Sequence, residues 1–294
     1  MSKPRLAHVV LGGCEGCYVS LLDAGAALLP LLEAVDLVAS PLVAEDDLTD
    51  CDVCLVEGAV TTERDIEKLL QARKASRTLV AVGSCAVLGG IGGLRNLSTR
   101  AEVLDTALGV GERPTGVPEL TARVQPISDF VTVDMSVPGC APETETLLEA
   151  LTAALEGRDW ALPRRNMCDE CGRTKVKLLE HSSEFVSDSV YAIMELDEID
   201  PELCFLEQGV ICMGPMTREG CGARCTVAGV PCRGCQGPSR PEFEQGGKMV
   251  DALAAVLPAG AIMFMDDLVG TGYRFSMPIS IFPTIYDHGG DDDE

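Results

Sequence analysis

Short apolar segments alternate with amphipathic segments along the first 160 residues of the chain. The apolar segments predict five strands, at residues 6–11, 36–42, 52–56, 78–82 and 130–133. Apolar residues at helical spacing predict three helices between or after them, at residues 17–32, 62–75 and 143–155. Because strands that alternate with helices usually form a parallel sheet, the pattern predicts an α/β, doubly wound first domain over residues 1–160.

Cysteine dominates the pattern in the next part of the chain. Eight of the fourteen cysteines fall between Cys168 and Cys235, a density that an apolar core would not use. This spacing predicts a largely irregular metal-binding domain over residues 161–240, followed by a C-terminal extension over residues 241–294 that we expect to pack against partner subunits. A helix is predicted at residues 243–257, and buried strands or an interface at residues 261–265 and 275–279.

Three chemistries could use this many thiols. Disulfides need an oxidising compartment, and the chain starts with neither a signal-peptide pattern nor a twin arginine, so we expect a cytoplasmic protein with reduced thiols. Zinc remains open, because Cys168 and Cys171 with Cys232 and Cys235 make an acceptable four-thiolate frame. Eight thiolates favour two adjacent four-cysteine iron-sulfur clusters.

Charge excludes some partners. The chain has 46 acidic and 23 basic residues and a formal net charge of −23, which repels nucleic acid and anionic membrane surfaces. No apolar run approaches the roughly 18 residues that a membrane-spanning helix needs. We therefore expect neither nucleic-acid binding nor membrane insertion.

Four other cysteines share a topological position. Cys14, Cys17, Cys85 and Cys140 each follow the carboxyl end of a predicted strand. Those ends converge on the ligand-binding crevice of a doubly wound sheet, so the four thiols are predicted to meet at a third cluster. The alternative is that they are small buried apolar residues.

The remaining candidates have weaker patterns. Cys51 and Cys54 lie within a predicted strand, where residues three apart point to opposite faces, so both are predicted to be packing residues with diverging thiols. His8, His181 and His288 form no cluster, and we interpret each as incidental.

Several motifs resemble the small subunit of nickel-iron hydrogenases over nearly the full chain. They begin with Gly13-Cys-Glu-Gly-Cys17, Val56-Glu-Gly58 and Gly83-Ser-Cys-Ala86, and they continue with Pro138-Gly-Cys-Ala-Pro142, Cys168-Asp-Glu-Cys-Gly-Arg-Thr-Lys175 and residues 204–238. The chain is most similar to the cytoplasmic F420-non-reducing small subunits that work with heterodisulfide reductase. The resemblance implies a flavodoxin-like first domain and no nickel in this chain.

The resemblance also implies three ligand sets, each for a [4Fe–4S] cluster. The proximal set is Cys14, Cys17, Cys85 and Cys140; the distal set is Cys168, Cys171, Cys204 and Cys212; the medial set is Cys221, Cys225, Cys232 and Cys235. In periplasmic relatives, a histidine stands at the position of Cys168. Those relatives also lack a cysteine ligand at the position of Cys225, so their medial set has three thiolates. An all-thiolate chain is expected to have lower reduction potentials.

The function that the resemblance implies is electron relay. Electrons from hydrogen, which is oxidised at the nickel-iron site of a large subunit, would pass through the three clusters to a small iron-sulfur adaptor and heterodisulfide reductase. Two alternatives stay open: the small subunit of a deazaflavin-reducing hydrogenase, and a zinc-stabilised interaction protein.

Overall fold

The computed structural model divides into two compact units, Met1–Ala161 with Phe275–Glu294, and Leu162–Arg274. It describes residues 2–41, 48–110, 113–176, 189–240, 244–257, 263, 265 and 267–281. The predicted C-terminal extension is therefore divided: its described residues up to Arg274 belong to the second unit, and those from Phe275 belong to the first.

Seven strands lie in the described part of the first unit. They are β1 (Arg5–Val10), β2 (Asp36–Ala39), β3 (Cys51–Glu57), β4 (Val60–Thr62), β5 (Ser76–Val82), β6 (Leu120–Gln125) and β7 (Met135–Val137). Five of them form one sheet in the order β2-β1-β3-β5-β7, and every pairing in it is parallel. This is the flavodoxin-like strand order, which confirms the predicted fold class.

Six α-helices accompany these strands in the same described ranges. They are α1 (Gly16–Leu22), α2 (Leu29–Ala34), α3 (Glu63–Ala75), α4 (Gly83–Leu88), α5 (Arg100–Leu108) and α6 (Thr144–Glu156). One apolar core joins the inner residues of α6, such as Leu147 and Leu151, to Val53 and Val80 of the sheet. A second core joins Leu69 of α3 to other residues of the same strands. Two cores built on one sheet are what a doubly wound domain requires.

The predicted long helix at residues 17–32 is wrong. The segment breaks into α1, a 3₁₀ helix at Gly25–Leu28, and α2. The bend between Gly16–Leu22 and Gly25–Ala34 is 91°. Gly25 adopts a positive φ of 53°, and Pro30 lies in the first turn of α2. Proline has no N–H to donate to the preceding turn, so one helix cannot run through the whole segment. The apolar periodicity nevertheless continues across the break.

The predicted strand at residues 130–133 is also wrong, since the fifth strand of the sheet is β7, at Met135–Val137. Residues Ile127–Asp129 form a 3₁₀ helix whose last turn continues to Phe130, which donates to the carbonyl of Ile127. Asp134 then accepts hydrogen bonds at Oδ2 from Leu79 N and from an Arg73 guanidinium nitrogen. The side chain of Asp134 is thus hydrogen-bonded to β5, and the backbone pairing of β7 with β5 begins at the next residue, Met135.

Cys51 and Cys54 are both buried, as packing residues would be, but the prediction that their thiols diverge is wrong. Both belong to the same apolar core, and the two thiols are close enough for each to shift the pKa of the other, lowering that of Cys51 and raising that of Cys54. Cys51 is the first residue of β3, and the pairing of β3 with β1 begins only at Val53. The strand is therefore held on one side only at Cys51, where strict alternation of side chains fails.

The second unit is built from short elements. Its described α-helices are α7 (Arg224–Val227), α8 (Gln245–Val256) and α9 (Leu268–Gly272), and its 3₁₀ helices include Met167–Asp169, Ile193–Glu195, Phe205–Gln208 and Gly214–Met216. Its core combines cysteines with methionines and aliphatic residues, among them Met213, Met249 and Leu253. The predicted helix at residues 243–257 is confirmed over Gln245–Val256, but residues 275–279 form no strand, because Met277–Ile279 is a 3₁₀ helix.

Among the described helices, none is long and apolar enough by itself to cross a bilayer. One bent pair, Gly16–Leu22 with Gly25–Ala34, meets the length and composition requirement only when both parts are counted together.

Candidate metal centres

The proximal set gathers at the carboxyl edge of the five-stranded sheet. Cys14 follows β1, Cys17 lies in α1, Cys85 lies in α4 just after β5, and Cys140 follows β7. All four cysteines line one cavity. The topology of the sheet therefore brings together thiols that are separated by more than a hundred residues along the chain.

Small residues and two glutamates, of which Glu57 is buried and Glu15 is exposed, complete the wall of this cavity. The other residues of the wall are Gly13, Glu15, Gly16, Glu57, Gly58, Ser84, Gly139 and Ala141. Ser84 helps to join two of the loops, since its hydroxyl accepts a hydrogen bond from Gly139 N at 3.0 Å and its own N–H donates to the Gly139 carbonyl at 2.9 Å.

Two glycines allow the backbone to approach the thiols closely. A Cβ on Gly83 would lie 2.3 Å from Cys17 Sγ, and a Cβ on Gly90 would lie 2.5 Å from Cys85 Sγ. Both glycines have positive φ angles, 83° and 62°, which other residues rarely adopt. Glycine at these positions leaves the sulfur atoms the space that a bound group would need.

The thiols of the proximal set disfavour one another as anions. Burial raises the pKa of the Cys140 thiol to about 11, with further increases from Cys85 and Cys14. Burial also raises the pKa of Cys17 and Cys85, and the Glu57 carboxylate adds to both increases. Thiolates in such a site need a compensating positive charge, which a metal centre supplies.

Glu57 is a site residue to which sequence patterns assigned no role. Its side chain is only 2% exposed, and its Oε2 has no hydrogen-bond partner among the described residues. Oε2 lies 3.6 Å from Nε2 of His8, whose ring stacks on Tyr18 at 4.7 Å between centroids. His8 is thus buried beside the carboxylate at the proximal set, and its interpretation as incidental stays a prediction. His181 and His288 lie outside the described residues.

The distal set lies in the second unit, on three loops. The pKa of Cys168 is raised by the neighbouring thiolates of Cys212, Cys204 and Cys171, in decreasing order of effect. Burial raises the pKa of Cys168 to about 12 and that of Cys212 to about 11, whereas the Lys175 ammonium lowers the pKa of Cys168. Lys175 Nζ also donates a hydrogen bond to the Cys168 carbonyl at 3.2 Å. This bond holds the ammonium group beside the loop that carries Cys168.

The medial set lies in the same unit. Burial raises the pKa of Cys221 to about 11, and Cys235 and Cys225 lie close enough to raise it further. Burial likewise raises the pKa of Cys232, with Cys212 and Cys235 as neighbours, whereas the Thr217 hydroxyl lowers it. These neighbours are consistent with two adjacent sets of four cysteines, and the division of the eight between the sets stays a prediction.

Hydrogen bonds connect the distal and medial sets directly. Cys232 N donates to Cys212 Sγ at 3.3 Å, so a residue of one set contacts the sulfur of the other. Glu170, inside the distal Cys-x-x-Cys motif, accepts from Gly220 N at 2.9 Å and from Cys221 N at 3.3 Å. These contacts fix the two loops relative to each other at the point where their thiols approach.

The donor chemistry of all three sets is thiolate. Among the residues that the structure describes, no group of three or more Cys, His, Asp or Glu side chains could hold a single metal ion. A zinc ion needs four ligands converging at about 2.3 Å for sulfur, whereas a cubane cluster takes one thiolate at each of four separate irons. The four thiols that line the proximal cavity match the four thiolates that a cubane cluster takes.

Comparison with known proteins identifies relatives over most of the chain. A family model described as NADH ubiquinone oxidoreductase, 20 Kd subunit, matches residues 14–154. A subunit of the vhu F420-non-reducing hydrogenase of Methanococcus voltae is 38% identical over 288 residues, covering 95% of this chain and 97% of the relative. The iron-sulfur subunit of an F420-non-reducing hydrogenase of Archaeoglobus profundus is 29% identical over 287 residues, covering 86% of this chain and 88% of the relative.

A solved structure agrees with the relatives found by sequence. A chain of the NAD⁺-reducing [NiFe]-hydrogenase in its H2-reduced state is 36% identical, with a TM-score of 0.51, and the match covers 55% of this chain and 96% of that chain. Identity above 30% over nearly the full length of both sequences leaves no room for a chance likeness. The chain belongs to the family of nickel-iron hydrogenase small subunits that includes its relatives in the F420-non-reducing hydrogenases.

Proposed function

We propose that this chain is the electron-transfer subunit of a [NiFe] hydrogenase and relays electrons from hydrogen oxidation through three [4Fe–4S] clusters. The observation that carries the proposal is the proximal cavity, where four cysteines from three separate segments of the chain line one space at the carboxyl edge of the sheet. The family relationship supplies the reaction. When bound, each cluster accepts and releases one electron at a time.

The residues of the chain have three tasks in this function. The proximal, distal and medial sets, as assigned from the resemblance, provide twelve thiolate ligands. Glycines such as Gly83 and Gly90 keep Cβ atoms out of the space beside the sulfurs. Burial of Cys204, Cys212 and Cys232 keeps water away from these ligands, which protects iron-sulfur groups and strengthens nearby electrostatic interactions.

The hydrogen-oxidising site would lie in a separate large subunit. Twelve of the fourteen cysteines of this chain are already assigned to the three cluster sets, and the family is one of small subunits. We place the large subunit against the proximal set, because Cys14 and Cys140 are exposed at the edge of the cavity. Exposed cluster ligands of this kind need a covering protein to exclude solvent.

The metal content tests the cluster proposal. Once the iron of the partner subunits is subtracted, protein purified anaerobically with them is expected to contain about twelve irons in this chain, four for each cluster, and to show an absorption band near ~400 nm that is typical of thiolate-bound iron. Iron and zinc are measured together on the same sample. Stoichiometric zinc without the absorption band would instead establish the zinc-stabilised interaction protein.

We further propose that the electrons leave through the distal set toward a small iron-sulfur adaptor and heterodisulfide reductase. The support is the match of residues 168–175 and 204–225 to that branch and the F420-non-reducing names of the relatives. All-thiolate ligation is weaker support, because it favours low potentials.

The acceptor is decided by an assay of the native complex under hydrogen. We expect reduction of heterodisulfide through the reductase and negligible reduction of deazaflavin when the reductase has been removed. The matched control is a viologen dye, which accepts electrons from either type of hydrogenase and shows that the complex is active. Full-rate deazaflavin reduction without the reductase would assign the chain to the deazaflavin-reducing branch.

A further inference from the structure

Arg173 carries a positive charge into the interior of the second unit. Its side chain is 9% exposed, and no other arginine or lysine in the described part of the chain is as deeply buried. Burial of a charge is strongly unfavourable unless other groups compensate for it. The neighbours of this guanidinium must therefore explain why the fold accepts it.

The hydrogen bonds of Arg173 go to neutral acceptors. Its Nε donates to the Thr226 carbonyl at 3.2 Å, and one Nη donates to the carbonyls of Asp200 and Leu203 at 2.9 and 2.8 Å. The guanidinium carbon lies 3.8 Å from the centre of the Phe205 ring, which adds a cation–π contact. These contacts account for three of the five N–H donors. Among the described residues, they leave the net charge without a counter-ion.

No carboxylate pairs with this guanidinium in the described part of the molecule. The ion pairs found there involve other cations, such as Arg165, whose Nη2 lies 3.2 Å from a carboxylate oxygen of Glu219. A buried arginine usually has an acidic partner. Without one, no Coulombic attraction offsets the free energy that the charge loses when it leaves water for a low-dielectric interior. Among the described residues, no carboxylate therefore supplies the compensating negative charge.

The proposed clusters supply that charge. The carbonyl of Leu203 immediately precedes Cys204 of the distal set, and the carbonyl of Thr226 belongs to the residue that follows Cys225 of the medial set. Arg173 thus bonds to the chain directly beside a ligand of each set. Four thiolates around an iron-sulfur core carry a net negative charge, which increases when the cluster accepts an electron.

We infer that Arg173 is a positioning residue for electron transfer, whose buried charge favours the reduced form of the clusters in the distal and medial sets. The inference rests on the proposed function, since it needs clusters at both sets. A fixed cation stabilises the more negative, reduced state more than the oxidised state, so it raises the reduction potential. Arg173 offsets part of the low potential that all-thiolate ligation causes.

Two substitutions separate this role from a merely structural one. Arg173→Lys keeps the charge but loses the planar arrangement of donors, whereas Arg173→Gln keeps an N–H donor but removes the charge. Arg164→Gln is the matched control, because Arg164 belongs to the same unit but is exposed, where solvent and salt screen its charge. All proteins are purified anaerobically with their partner subunits.

The readouts are iron per chain and the reduced fraction of each cluster at a series of applied potentials, followed by electron paramagnetic resonance. In Arg173→Gln, the ratio of reduced to oxidised clusters in the second unit is expected to fall about tenfold at a fixed potential, a shift of about 59 mV for a one-electron couple. Arg173→Lys and Arg164→Gln are expected to keep the potentials of the natural protein.

Each outcome decides the inference. Equal potentials in Arg173→Gln and Arg173→Lys, with clusters intact, overturn it and leave the proposed function standing. Loss of iron in Arg173→Gln that Arg173→Lys restores supports it, because Lys keeps the positive charge that Gln lacks. Loss of iron in both variants overturns it in favour of a structural role for the hydrogen bonds. Natural protein without iron overturns the proposed function, and the inference with it.

Discussion

Cys17→Ser is expected to lose the proximal cluster, with iron falling from about twelve to about eight per chain. Cys17 lines the cavity together with Cys14, Cys85 and Cys140, and burial and neighbouring anions make it the proximal thiol with the most strongly raised pKa. A serine hydroxyl is much harder to ionise than a thiol in the same surroundings, so it is a poor ligand there. Hydrogen-driven reduction of the acceptor should fall to background.

The control uses the cysteines that the structure places in the core. Cys51→Ser and Cys54→Ala should keep the full iron content and the rate of electron transfer, because both thiols are buried within an apolar cluster and do not line the cavity. Cys54→Ala removes one sulfur from a fully buried site, and its effect should be limited to a modest loss of stability. Loss of four irons from either control would show that the proximal set is wrongly assigned.

Gly83→Ala is expected to reduce proximal cluster content nearly as strongly as loss of a ligand. The new Cβ would lie 2.3 Å from Cys17 Sγ, which is shorter than any van der Waals contact, and the φ of 83° is itself unfavourable for alanine by about 1 kcal/mol or more. Relief requires that Cys17 or the start of α4 move away from the cavity. Iron analysis and the electron paramagnetic resonance spectrum of the proximal cluster measure the loss.

Gly92→Ala is the matched control for this glycine. Gly92 is an exposed residue of the 3₁₀ helix Ile91–Leu97, and its Cβ would meet nothing within 4 Å. Alanine should leave iron content unchanged there. If Gly83→Ala also retained all its iron with an unaltered spectrum, close approach of the backbone at Gly83 would not be needed for cluster binding.

Local pattern was a reliable guide where local forces decide the structure. Helix α3 was predicted at residues 62–75 and is found at Glu63–Ala75, because Thr62 and Asp65 form a capping box that starts the helix at the point where the apolar period begins. The pattern failed for the segment 17–32, where it continues through Gly25 and Pro30 although the backbone turns. Periodicity records which side chains are apolar, and it does not record what the backbone can do.

Pairing between distant residues caused the other failures. The strand expected at residues 130–133 is replaced by Met135–Val137, because Asp134 is held by Arg73 and by the backbone of Leu79, both more than fifty residues away. The strands β4 and β6, which pair antiparallel in a separate two-stranded sheet, were not predicted at all. A strand of three residues, such as Val60–Thr62, has too little sequence to show a period.

The sequence by itself determined that the four proximal cysteines meet at one place. Thiols that follow successive parallel strands must converge at one edge of the sheet, because parallel strands all end on the same side. Only the tertiary structure decided what surrounds the thiols. The unpartnered carboxylate oxygen of Glu57 beside the proximal set and the buried guanidinium of Arg173 depend on contacts between residues far apart in sequence. Burial and solvation give those charges their effect, and neither is written in any local pattern.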